Sequence, residues 1–112
     1  MRGKHLIACI INITNYELLK TVEGVKPLMD KIIKDMDLHV VGELHHQFQP
    51  VGATSLYLLS ESHLSIHTYP ELRYCAIDLY CCNGDINMNN VLDIIYNYFD
   101  GNCIIKNKVI DR

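Results

Sequence analysis

The sequence predicts an α+β fold: a two-layer sandwich of one mostly antiparallel sheet with two helices on one face. Three observations predict it. Six short segments are apolar runs or alternate apolar and polar residues, the marks of strands. Two other segments, one near each end, carry helical stripes. Turn signals join the middle strands closely, which implies antiparallel pairing with both helices on one face. The 112 residues, 49% hydrophobic against 21% charged, suit one domain spanning 1–112, and no linker, repeat or low-complexity tract interrupts them.

His5 to Asn12 is short and Ile/Leu-rich, which predicts a first strand buried on both faces or nearly so. Met1-Arg2-Gly3-Lys4 before it gives a faint likeness to a secretory leader. Asn12, Thr14 and Asn15 end the apolar run early, however, and no small-x-small cleavage site follows. Leu18, Val22, Val25, Met29, Ile32 and Met36 then step by four and three along one stripe. Pro27 belongs in a first turn, so the regular helix is expected from Pro27 to Met36.

Leu38 to Gln49 predicts a long, His-rich and bent strand, closed by a turn at Pro50-Val51-Gly52. Thr54 to Leu59 is the next strand. His63 to Thr68 alternates strictly, with His63, Ser65 and His67 on one face and Leu64 and Ile66 on the other. Tyr69-Pro70-Glu71 breaks it, and Tyr74 to Cys82 resumes. Alternation there sends Cys81 with Ile77 and Leu79 to one face, and Cys82 with Asp78 and Tyr80 to the other. Asn83-Gly84-Asp85 is a turn, and Asn89 or Asn90 can cap a helix bearing Val91, Ile94, Ile95 and Tyr98. Gly101 ends that helix, and Cys103 to Val109 makes the last strand. The uncovered sheet face of so small a domain is a natural seat for a second copy.

Charge narrows the function classes. Ten basic against thirteen acidic residues give −3, so there is no basic surplus for a phosphate backbone and no nucleic-acid partner is expected. No apolar run approaches the roughly 20 residues that span a bilayer, so no membrane association is expected. Cys9, Cys75, Cys81, Cys82 and Cys103 are odd in number and form no CxxC. Neither a disulfide framework nor a zinc ribbon follows, and reduced thiols in the cytoplasm are expected.

Ser60-Glu61-Ser62-His63-Leu64-Ser65-Ile66-His67-Thr68 packs three serines, two histidines and a carboxylate into one strand junction. A serine hydroxyl is a poor nucleophile until a base or strain activates it, and His67 has a suitable intrinsic pKa for such a base. Periodicity alone reads the same segment as a polar hairpin with solvated histidines. His45, His46, His63 and His67 lie on neighbouring β segments, yet no HExxH or His-with-paired-Cys pattern accompanies them, so no metal is expected.

Leu59-Ser60-Glu61-Ser62-His63-Leu64-Ser65-Ile66-His67-Thr68-Tyr69-Pro70-Glu71 resembles the self-cleavage segment of the short, prokaryotic-type S-adenosylmethionine decarboxylase proenzymes. The likeness extends to Gly3-Lys4-His5-Leu6, to His46-Gln47-Phe48-Gln49-Pro50-Val51-Gly52, and to Tyr74 through Cys82, with matching spacing. What it implies is self-processing. Ser62 would attack the Glu61 carbonyl, β-elimination of the ester would follow, and hydrolysis would leave a pyruvoyl group where Ser62 stood. Residues 1–61 would become the β chain and 62–112 the α chain. His67 matches the processing histidine, Thr54 the processing hydroxyl, and Cys82 the thiol that reprotonates product. The pyruvoyl cofactor would take the amine of S-adenosylmethionine as a Schiff base and accept electrons as carbon dioxide leaves. Phe48 and Tyr69 fall where the family has aromatic substrate-binding residues, and Glu71 where an acid meets the ribose. The family also implies a homodimer of processed αβ units and a role in spermidine biosynthesis.

The sequence departs from the family at Cys9, where an acid is common, and over Cys82-Asn83-Gly84-Asp85-Ile86-Asn87, which only approximates its Cys-Gly-acidic run. Two other readings stand beside the main one. The same cofactor serves arginine and ornithine decarboxylases, but a substrate without adenine would not need Phe48, Tyr69 and Glu71 together. A non-catalytic regulatory homologue could have lost Ser62, His67 or Cys82, and all three are present.

Overall fold

The structure is a computed structural model that describes residues 3–112. Met1 and Arg2, part of the leader comparison, lie outside the described residues. The chain runs β1 (Lys4–Ile11), α1 (Val22–Asp35), β2 (Val40–Gln47), β3 (Ala53–Leu59), β4 (Ser62–Tyr69), β5 (Tyr74–Cys81), α2 (Met88–Tyr98) and β6 (Ile104–Asp111). Single-turn 3-10 segments at Tyr16–Leu19 and Pro70–Leu72 link them. The six strands form one sheet in the order β2-β3-β4-β5-β1-β6, antiparallel throughout.

One face of that sheet is dry. Leu6, Ala8 and Ile10 of β1, Leu64 and Ile66 of β4, and Ile77, Leu79 and Cys81 of β5 are buried together with Val25, Leu28, Met29 and Ile32 of α1 and Val91 and Ile95 of α2. Period-two alternation leaves the opposite face open, where Ile7, Leu44, Leu56 and Leu58 stay exposed. The two-layer reading holds.

Several boundaries move. The first helix starts five residues before Pro27, because Thr21 caps it: the Thr21 side chain accepts from the Gly24 N–H at 3.0 Å. Pro27 then sits inside the helix. Its missing N–H costs one bond near the N-terminus, and burial of Val25, Leu28, Met29 and Ile32 outweighs that loss. The second helix is capped by Asn87 rather than Asn89 or Asn90, its side chain accepting from the Asn89 N–H at 3.0 Å. Burying Met88 requires that earlier start. The bend expected in Leu38–Gln49 is a register shift between Val40 and Gly42, and the ordered strand is shorter at both ends. The last strand is offset to Ile104–Asp111.

Candidate active site

Strands β3 and β4 form a hairpin whose turn is Ser60 and Glu61, with Leu59 facing Ser62. A turn this tight forces unusual backbone at its exit. Ser62 carries it, with φ at +152°, a region that L side chains rarely adopt. The Glu61 carbonyl, which belongs to the Glu61–Ser62 peptide, accepts from the backbone N–H of Cys82 at 2.8 Å. That bond lies one step beyond the pairing of Ser62 with Cys81, so the last rung of the β4–β5 ladder presents this carbonyl.

The Glu61 side chain is held as firmly as its backbone. His39 meets it twice: the ring Nδ1 lies 2.7 Å from Oε2, and the backbone N–H donates to Oε1 at 3.1 Å. The Ser60 N–H donates to the His39 carbonyl at 2.9 Å, closing the clamp. The carboxylate beside the ring raises the His39 pKa above its ordinary value, and the imidazole lowers that of Glu61. On the other side of the peptide, Ser62 Oγ lies 3.5 Å from His63 Nδ1. The Cys82 side chain is exposed at this end of the sheet. Its neighbour Cys81 is buried, which pushes that thiol's pKa up.

The other residues singled out from the sequence gather at the far end of β4. Thr54 stands directly across from His67 in the β3–β4 ladder, and its Oγ1 lies 3.0 Å from His67 Nδ1. Tyr69 ends the strand, 42% exposed and stacked on Tyr74 with ring centroids 5.5 Å apart. Glu71 follows in the 3-10 turn and is exposed. Phe48, 45% exposed, is brought alongside by a short loop in which its N–H donates to the Gly52 carbonyl at 2.8 Å. Gly52 has φ +114°, a backbone conformation that L side chains rarely adopt, and a Cβ there would make only ordinary contacts with Phe48, Thr68 and Pro70, so the turn's conformation rather than its space calls for glycine.

The candidate residues therefore fall into two groups. One holds Glu61, Ser62 and Cys82; the other holds Phe48, Thr54, His67, Tyr69 and Glu71. Five steps of extended strand lead from Ser62 to His67, about 16 Å at the usual strand rise. Within one chain they do not meet.

The histidines do not converge on a metal. His45 reaches Ser55 and Glu43, whereas His46 packs edge-on against Phe48. Among the described residues no group of three or more His, Cys, Asp or Glu is arranged to hold an ion. Two features of the site escaped the sequence reading. His39 lies 22 residues from Glu61 and carries no local pattern. Tyr74 donates its hydroxyl to Cys9 Sγ at 3.4 Å, and that bond with burial pushes the Tyr74 pKa to about 12.

Comparison with known proteins gives the arrangement a context. The profile of the S-adenosylmethionine decarboxylase family matches residues 4–112. A protein named S-adenosylmethionine decarboxylase proenzyme from a Sulfurihydrogenibium species is 44% identical over 82 residues, 73% of this chain and 61% of the relative. In that alignment the chain thus spans less than two thirds of its relative. A protein of the same name from a Hydrogenobaculum species is 34% identical over 110 residues, 98% of this chain and 81% of the other. The crystal structure of the adenosylmethionine decarboxylase from Aquifex aeolicus superposes with a TM-score of 0.87 at 30% identity, covering 98% of this chain and 89% of that one.

Proposed function

The chain belongs to the S-adenosylmethionine decarboxylase family, and from that premise we propose that it cleaves itself between Glu61 and Ser62 and then decarboxylates S-adenosylmethionine. The product is an aminopropyl donor for spermidine biosynthesis. One observation carries the reading: the Glu61 carbonyl is already polarised by the Cys82 N–H at 2.8 Å, next to a serine held at φ +152°. A donor placed on that oxygen stabilises the charge that develops there when Ser62 Oγ adds to the carbon. Backbone strain at Ser62 raises the starting peptide toward that state.

Elimination from the resulting ester needs a base at the Ser62 Cα proton. His67 is that base, oriented by Thr54 Oγ1. Because it sits about 16 Å along the strand from Ser62, it acts on Ser62 of a second copy. Two copies related by a two-fold axis, open face to open face, would set the Ser62 end of each against the His67 end of the other. The exposed Ile7, Leu44, Leu56 and Leu58 would be covered in the same step. The active form is therefore a homodimer of processed αβ units, residues 1–61 and 62–112.

A pyruvoyl group at position 62 supplies the electron sink for decarboxylation. The residues present fit it: its precursor serine stands beside the exposed Cys82 thiol, which returns a proton to the substrate carbon. Phe48 and Tyr69 offer faces for the adenine and the sulfonium, and Glu71 accepts from ribose hydroxyls. The relatives described above carry the S-adenosylmethionine name, which disfavours arginine or ornithine as substrate. Among the described residues no helix is long and apolar enough to cross a membrane; we place the enzyme in the cytoplasm. Incubation with carboxyl-labelled S-adenosylmethionine, arginine and ornithine in separate reactions tests the substrate. Labelled carbon dioxide from the first alone is expected; release from either of the others instead would overturn the assignment.

A further inference from the structure

Self-cleavage requires two proton transfers at different places, and His67 serves only the second. The first occurs when the Ser62 hydroxyl adds to the Glu61 carbon. His63 Nδ1, 3.5 Å away, is the side-chain nitrogen beside that hydroxyl. Its ring is not adrift. His63, Tyr80 and His5 occupy facing positions on β4, β5 and β1, with ring centroids 6.0 Å apart for His63 and Tyr80 and 6.2 Å for His63 and His5. His5 Nε2 in turn lies 3.2 Å from Asp78 Oδ1. A row of rings across three strands thus backs the imidazole that faces Ser62.

Resting on the processing assigned above, we propose that His63 is the catalytic base for the acyl shift and acts within its own chain, whereas His67 of the other copy serves the elimination. With its proton on Nε2, His63 takes the Ser62 hydroxyl proton on Nδ1 as the bond from Oγ to the Glu61 carbon forms. The Cys82 N–H holds the oxyanion. The same imidazolium returns the proton to the Ser62 nitrogen as the C–N bond breaks. An ester and a free amine result; nothing is oxidised or reduced and no co-reactant enters. Serine, base and oxyanion donor all come from one copy, so the first step is complete without the partner.

The two steps are separable in the full-length chain. In His67→Ala the ester accumulates and neutral hydroxylamine cuts it between residues 61 and 62. Adding His63→Ala to that background is expected to slow the appearance of hydroxylamine-sensitive protein by about 100-fold or more, the lower end of what a general base contributes, with partial rescue by imidazole. His63→Gln, which keeps a polar side chain of similar reach, should be as slow as His63→Ala if the alanine variant melts early. Equal rates of ester formation with and without His63, in variants whose thermal melts match Ser62→Ala, would overturn the proposal. Failure of the unaltered chain to cleave at all would instead overturn the processing reading on which it rests.

Discussion

The backbone N–H of Cys82 donates to the carbonyl of Glu61 at 2.8 Å, joining the residue before the proposed cleavage point to the one whose thiol is the proposed proton donor. In the proposed mechanism the main chain and side chain of Cys82 have different roles, and substitution separates them. Cys82→Ala keeps the N–H and should cleave within about twofold of the unaltered rate, while decarboxylation falls by about 100-fold or more for want of the proton donor. Gel analysis of cleavage and labelled carbon dioxide release read the two effects independently.

Thr54 and His67 form a pair across one rung of the sheet, and the hydrogen bond fixes the ring's orientation. Thr54→Ser keeps the oxygen and should process normally. Thr54→Ala removes a bond of about 1 kcal/mol and should slow cleavage several-fold without changing the thermal midpoint by more than a few degrees. Time courses of both purified precursors check this.

Because Ser62 and His67 of one chain stand at opposite ends of β4, complementation should work between defective copies. Ser62→Ala and His67→Ala chains, neither able to complete cleavage alone, should yield cleaved His67→Ala chain when co-expressed, as each mixed dimer contains one intact pair. Mass spectrometry of tagged chains identifies which one is cut.

The clamp of His39 on Glu61 has a defined pH window. Glu61 titrates below its ordinary 4.5 and His39 above its ordinary 6.5, each because of the other. The depressed carboxylate contributes above 4.5 and is lost as pH falls through its folded value. The raised imidazole contributes fully below 6.5 and is lost as pH climbs through its folded value. The ion pair therefore acts in mildly acidic to neutral solution. A proton NMR titration of Ser62→Ala should place the His39 midpoint above 6.5, and adding Glu61→Gln should lower it.

Phe48 and Tyr69 expose faces near Glu71 at one end of the sheet. Phe48→Ala or Tyr69→Ala should each weaken substrate by about 1–2 kcal/mol, roughly 5- to 30-fold in kcat/KM, through lost stacking and cation–π attraction. Self-cleavage of both variants should be little affected, since no adenine is present in that step. Steady-state kinetics and gel analysis distinguish the outcomes.

The sequence made the strands legible because alternation is a local property: Leu64 and Ile66 are buried and His63 is exposed, as the pattern requires. Cys81 and Cys82 also part as alternation demands. Helix starts were less legible. Pro27 looks like a first-turn residue, and only the Thr21 cap and the burial around Val25 carry the helix back to Val22. The site divided the same way. Thr54 and His67, expected to act in one reaction, do lie together. Their distance from Ser62 follows from counting residues along β4, yet it becomes informative only once both prove to lie on one unbroken strand. His39 was invisible, since its contact with Glu61 depends on how two turns fold against each other.

Self-cleavage is read most plainly by intact-mass spectrometry of freshly purified protein. Two fragments are expected, one ending in Glu61 and the other beginning at position 62 with a carbonyl that reacts with hydrazine. A single unbroken chain of 112 residues, unreactive toward hydrazine after days in physiological buffer, would rule self-processing out.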